Sequence, residues 1–415
     1  MEDNMEDKAF RKGLSITAIV LIAISALVLS FSRTNSILYG ADASLYGLPF
    51  VAAFAIPLLV VLIILTGFYK STDTMEEMIA AIAVRYSIFG WFFIFLIKFA
   101  AVMLTVFCYD FYSEHYTTIY LLMNSFNVCV VGTVVLLILL RRLPAVKIEK
   151  RKLKFKQLIL LIMMMYGLTQ VGSMMGMPVD TILSLPSAFN SGADDVTKIL
   201  QDNIIFSSNT FVRIICVGIL PAIFEELLFR KFLIDRTIRH GEFISCAMSG
   251  IMFGLWHGNF QQFFFAFFIG VLFAFVYIRT GNIIYTMIMH ASMNLVTSSV
   301  TVELLTELLR RTGIDMNSGT VNTDIDPDMV LKEIVPLLLL IILWVLILLG
   351  FQIAGFVMLI VKRKNFKLAA REGEPGRKVI LHKLTHSVEM WVFFAFALLL
   401  FVYSYLPDNL AVFFG

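Results

Sequence analysis

The sequence predicts an all-α, polytopic membrane protein with about eleven transmembrane helices, and three observations lead there. The first is composition: 59% of residues are hydrophobic and 15% charged, with a mean hydropathy of +0.86. Ordinary globular chains are near half apolar and a quarter charged. The second is that the apolar residues come in runs close to the length of about 20 residues needed to cross a bilayer. The third is that lysine and arginine collect in alternate loops between those runs.

Taken in order, the expected spans begin with Leu14–Phe31, preceded by Lys8, Arg11 and Lys12. That run is long enough to stay as an anchor, and no small-residue cleavage site follows it. Leu48–Phe68 contains Pro57, and Ser87–Tyr109 carries Lys98, which can snorkel or pair within the bundle. Thr117–Leu140 and the methionine-rich Gln157–Met177 come next, then Phe211–Arg230 with its two glutamates. Phe243–His257, Phe260–Thr280, Asn282–Thr301, Val335–Val361 and Met390–Tyr405 complete the set. This divides the chain into 1–210 (five spans and a long loop), 211–300 (a catalytic membrane domain) and 301–415 (a loop and two spans). The catalytic bundle is expected from the sixth to the ninth helix.

Orientation follows from the basic loops. Between the fourth and fifth spans stand Arg141, Arg142, Lys147, Lys150, Arg151, Lys152, Lys154 and Lys156, against one acid, Glu149. A second basic stretch follows the tenth span. Both belong on the cytoplasmic side, with the N-terminus, while the acidic loops and the C-terminus fall on the other side. The expected location is an integral, plasma-membrane protein of bacterial type. The basic loops suit anionic lipid headgroups and imply no nucleic-acid partner. The two long loops, Pro178–Thr210 and Val302–Ile334, are expected to be partly ordered at most, with a short amphipathic helix at Val302–Arg311. Cys108, Cys129, Cys216 and Cys246 all lie in apolar stretches, at no zinc-like spacing, and read as packing residues.

The chemistry concentrates in three helices. Glu225 and Glu226 are adjacent in an apolar helix, and Arg230 lies four residues beyond Glu226, on the same face. Charges at membrane depth persist when paired or when used. Glu226 is therefore expected as an anion held by Arg230. Glu225, turned about 100° away, is left to act as a general base. Pro221 has no N–H for the carbonyl of Val217 and is expected to distort the helix just before the acids. The alternative is that the glutamates face water at a helix end. His257, four residues after Phe253, can share a water with Glu225, or simply end its helix. His290 and Asn294, four apart, provide two donors for an oxyanion, or hydrogen bonds between helices.

The segments EELLFR (Glu225–Arg230), FGLWH (Phe253–His257) and HASMN (His290–Asn294) resemble the EExxxR, FxxxH and HxxxN motifs of the CPBP family. That family comprises the type II CAAX prenyl endopeptidases and the bacterial Abi proteins. The resemblance covers roughly Phe211–Val300. It implies a glutamate-dependent intramembrane endopeptidase without metal or other cofactor, acting on a membrane-associated peptide or protein. It also implies that Glu225 and His257 activate water, that His290 and Asn294 form the oxyanion site, and that Glu226 and Arg230 support them. Eukaryotic members remove three residues after a prenylated cysteine, and many bacterial ones act in peptide maturation, bacteriocin immunity or secretion.

Three other readings compete. A zinc hydrolase could use two histidines and a carboxylate, although HExxH is absent. A non-catalytic immunity or scaffold protein of the same fold would tolerate Gln at position 225. A transporter would show inverted repeats, which the sequence lacks.

Overall fold

The structure, a computed structural model, describes residues 5–39, 42–190, 208–312, 330–370 and 374–414. Among these residues it is entirely helical, without strands. The N-terminal helices are α1 (Met5–Tyr39), α2 (Asp42–Phe68), α3 (Met75–Phe107) and α4 (Tyr109–Glu114), followed by α5 (Tyr116–Leu140) and α6 (Phe155–Asn190). The motif helices are α7 (210–237), α8 (Glu242–Trp256), α9 (Phe260–Thr280) and α10 (283–311). The chain ends in α11 (330–361), α12 (Arg377–His386) and α13 (Val388–Phe414).

Five of these helices contain segments long and apolar enough to cross a membrane, namely α3, α5, α6, α9 and α11. A sixth span arises if the pair α12–α13, bent by 68°, is taken together. The expected sixth and ninth spans exist as helices but are rich in polar groups and contain π-helical turns. Several boundaries differ from expectation: α1 and α3 begin at Met5 and Met75, well before Leu14 and Ser87, and α13 runs past Tyr405 to Phe414. α6 continues through Pro178 to Asn190, well into the segment read as a loop. Past the expected end at Arg230, α7 runs on to Thr237. The short amphipathic helix at Thr301–Arg311 continues α10, one residue earlier than expected at its start. Most of both expected loops, 191–207 and 313–329, lies outside the described residues.

Local signals set the helix starts. Thr74 caps α3 in a reciprocal box with Glu77, which accepts from the Thr74 N–H while Thr74 Oγ1 accepts from the Glu77 N–H at 3.2 Å. Asparagine caps the three other starts that matter here: Asn209 Oδ1 accepts from Phe211 N (2.9 Å), Asn259 from Gln262 N (2.8 Å) and Asn282 from Ile284 N (3.2 Å). α9 stops at Gly281, whose φ of 57° is left-handed.

Packing between the helices relies on close backbone approach, as expected where lipid removes the hydrophobic drive. Gly172 of α6 lies against the backbone of Phe265 in α9, and Gly355 of α11 against the carbonyl of Met163 in α6. No side chain fits at either place. At one end of the bundle an extended strap, 144–154, crosses the motif helices. Its Val146 N–H donates to Asp235 O (2.6 Å), Arg151 N–H to Thr280 O (2.7 Å) and Leu153 N–H to Tyr285 Oη (3.0 Å). The strap thereby holds α7, α9 and α10 to the N-terminal helices.

Candidate active site

The site is built on α7, whose helical ladder is broken twice. π turns at 214–219 and 227–232 bracket the normal turn that carries Glu225 and Glu226. Such turns widen the helix and leave carbonyls without their usual partners. Neighbouring side chains take up those carbonyls. Pro221 offers no N–H, and Asn294 Nδ2 of α10 donates instead to Val217 O at 3.1 Å. Ser125 Oγ of α5 donates to Cys216 O at 3.0 Å. On the far side of the acids, Tyr86 Oη of α3 reaches Leu228 O (2.5 Å) and Ser249 Oγ of α8 reaches Phe229 O (2.9 Å). Four side chains thus hold α7 open around two carboxylates.

Glu226 and Arg230 are both fully buried, with Arg230 Nε 3.2 Å from Glu226 Oε2. The pair is close but makes no hydrogen bond, because the angle is poor. The guanidinium lies instead over the ring of Phe253 (4.2 Å) and near Phe273 (5.1 Å), two faces that favour a cation. Pairing by charge and by aromatic contact lets an arginine stay at this depth.

His290 joins the two acids. Its Nδ1 is 3.0 Å from Glu226 Oε1 and its Nε2 is 3.8 Å from Glu225 Oε2. An ionised Glu226 can only accept, so it fixes the proton on Nδ1 and leaves the other nitrogen facing Glu225. The gap of 3.8 Å is too long for a hydrogen bond, yet it suits one water bonded to both groups. Glu225 is the less enclosed of the two carboxylates, with 14% of its side chain exposed.

His257 stands differently from the expectation. Its Nδ1 donates to the carbonyl of Phe253 at 2.8 Å, which makes Nε2 the free nitrogen of the neutral ring. Among the described residues no hydrogen bond or ion pair joins it to Glu225. Phe253 contacts both histidines edge-on, with centroids 4.9 Å from His257 and 5.8 Å from His290. The ring is a common wall for the site.

Because α7 runs on to Thr237, the acids and Phe253 come to similar distances from the turn between α7 and α8. At about 1.5 Å per residue, Glu225 lies about 18 Å from the end of α7, and Phe253 about 16 Å from the start of α8. His257 falls one turn beyond. Tyr86, Ser125, Ser249 and Phe273 were not singled out from the sequence. Serines and a tyrosine in apolar helices carry no spacing signal, although Pro221 did point to a carbonyl in need of a donor. Among the described residues no three His, Cys, Asp or Glu side chains converge as metal ligands, a convergence the zinc alternative requires.

Comparison with curated proteins and with solved structures gave no match. A family comparison did: residues 207–296, the stretch that contains every motif residue above, from α7 into the first half of α10, match the family described as type II CAAX prenyl endopeptidase Rce1-like.

Proposed function

We propose that the protein is an intramembrane endopeptidase that hydrolyses a peptide bond in a membrane-associated polypeptide. The observation that carries this reading is the Glu226–His290–Glu225 line, with one close contact and one gap sized for water. Water held between Glu225 and His290 Nε2 loses its proton to Glu225 as its oxygen attacks the peptide carbonyl. The tetrahedral oxyanion collapses, the C–N bond breaks, and Glu225 returns the proton to the departing amine. Glu226 keeps His290 oriented, and Arg230 sets an opposite charge beside Glu226. This division differs from the one the motifs imply. Asn294 Nδ2 has two hydrogens, one of which is given to Val217 O, so the second is its contribution to the oxyanion. His257, bonded to Phe253 O, joins Glu225 only through substrate or water.

The Rce1-like match makes a polypeptide with a lipidated C-terminus a reasonable substrate class. The second reading is a scaffold of the same fold. It is favoured by the structural hydrogen bonds that Asn294 and His257 already make.

Glu225→Gln separates the two. Wild type and variant are compared in cells at equal membrane abundance, with membrane and secreted peptides read by mass spectrometry. Removing the base is expected to slow cleavage by about 10²-fold or more, so uncut precursors accumulate. Identical peptide profiles would overturn the catalytic reading and leave the scaffold.

A further inference from the structure

Two cavities away from the motif residues lie along the same pair of helices. The first, of about 520 Å3, is polar and lies where the starts of α1, α3 and α13 converge. Lys8, Arg11 and Lys12 enter it from α1, and Lys383, His382 and His386 from α12. Three carboxylates share the space, and each is engaged: Glu76 with Lys383 (2.7 Å), Glu77 in the cap of α3, and Glu389 with Tyr69 and Ser387. Lys8 and Lys12 are exposed and make no hydrogen bond or ion pair among the described residues.

The second cavity, of about 710 Å3, is an apolar groove. Its floor is α13, through Trp391, Phe394, Ala395, Leu398 and Phe401, and its walls include Ile19 of α1, Leu255 of α8 and Phe263 of α9. The two share no lining residue, but helical spacing sets them one after the other on the same side of both helices. On α13, Ser387 and Val388 line the polar cavity, and Trp391, Phe394, Leu398 and Phe401 follow at steps of three or four residues on one face. On α1, Lys8 and Lys12 are followed on the same side by Ile19. From Trp391 to Phe401 the groove spans about 15 Å, half of the roughly 30 Å hydrocarbon core and hence one leaflet.

We propose that cavity and groove form a single binding site for a phospholipid with an anionic headgroup. The phosphate lies among Lys8, Lys12 and Lys383, and one acyl chain runs along α13 from Trp391 to Phe401. A headgroup alone would leave the groove unexplained, and a neutral chain would leave the cations unexplained. The site is separate from the Glu225 centre and does not depend on the reading of that centre.

The full-length chain, purified and delipidated in detergent, tests this. Dioleoylphosphatidylglycerol, dioleoylphosphatidylcholine, dioleoylglycerol and inorganic phosphate are compared by native mass spectrometry and by thermal midpoint. Phosphatidylglycerol is expected to bind and stabilise most. Charge contributes about 1 kcal/mol per lysine near such a headgroup, so Lys8→Gln with Lys12→Gln should weaken it by about tenfold or more. Lys8→Arg with Lys12→Arg should retain binding, which separates charge from loss of fold. Ala395→Phe, filling the groove, should also weaken phosphatidylglycerol while leaving any phosphate effect unchanged. Inorganic phosphate stabilising as well as the lipid would reduce the site to a free-anion site and overturn the proposal. Dioleoylglycerol or phosphatidylcholine binding equally well would overturn the headgroup assignment, and unchanged binding in both the Gln and Ala395→Phe variants would overturn the site.

Discussion

Asn294 shows how one side chain can serve a backbone and a reaction together. Its amide satisfies Val217 O because Pro221 cannot. Replacing it with Ala leaves a buried carbonyl unpaired, which costs about 1–3 kcal/mol. Pro221→Ala restores an N–H four residues after Val217 and should recover part of that loss. In a double-mutant cycle read by thermal unfolding in detergent, the two changes are expected to couple by about 1 kcal/mol. Strict additivity would show that Pro221 and Asn294 are unrelated. The site's members were legible because glutamate, histidine, asparagine and arginine stand out in apolar helices at spacings of four. Their partnerships were not. Spacing fixes which residues share a face of one helix, while the rotation and depth of its neighbours decide that His290, and not His257, meets the glutamates.

At the scale of elements, the glycines set the distances between helices. Gly355→Leu forces a side chain into the Met163 carbonyl and should separate α11 from α6. A cost of about 1–3 kcal/mol is expected, as for other overpacked contacts. Gly350→Leu, five residues earlier and on another face of α11, meets nothing within 4 Å and is the control. Equal unfolding midpoints for the two variants would dismiss this contact as a determinant. The helix starts near Phe211, Phe260 and Asn282 were read to within a residue, whereas the start of α3 was missed because its cap at Thr74 lies about a dozen residues before the apolar run. The π turns of α7 were not readable, since only Pro221 hints at one and nothing in LLFRKF marks the other. A hydropathy count loses α7 because Arg213, Glu225, Glu226, Arg230 and Lys231 crowd its apolar run; π turns alone do not hide a span, since α5 contains one and still counts.

Taken as a whole, the molecule has two ends of different chemistry. The strap, the Arg279–Glu242 pair (2.7 Å) and the Lys383–Glu76 pair lie at one end. The Arg213–Glu303 pair (2.8 Å) and the Tyr405–Asp180 contact lie at the other. With the basic end cytoplasmic, Lys150→Cys should label with a membrane-impermeant maleimide only after cells are opened, and Glu307→Cys in intact cells. The reverse pattern would invert the topology. The strap has a consequence of its own for how this protein can vary. It is anchored through three main-chain N–H groups, while its lysines and arginines point outward. Its exposed lysines and arginines are free to vary, while Ile148 and Leu153 pack against the core and the number of residues between Val146 and Leu153 is fixed, because an insertion there would put the anchors out of step with their helix ends. Length, more than identity, is the trait this segment is built to keep.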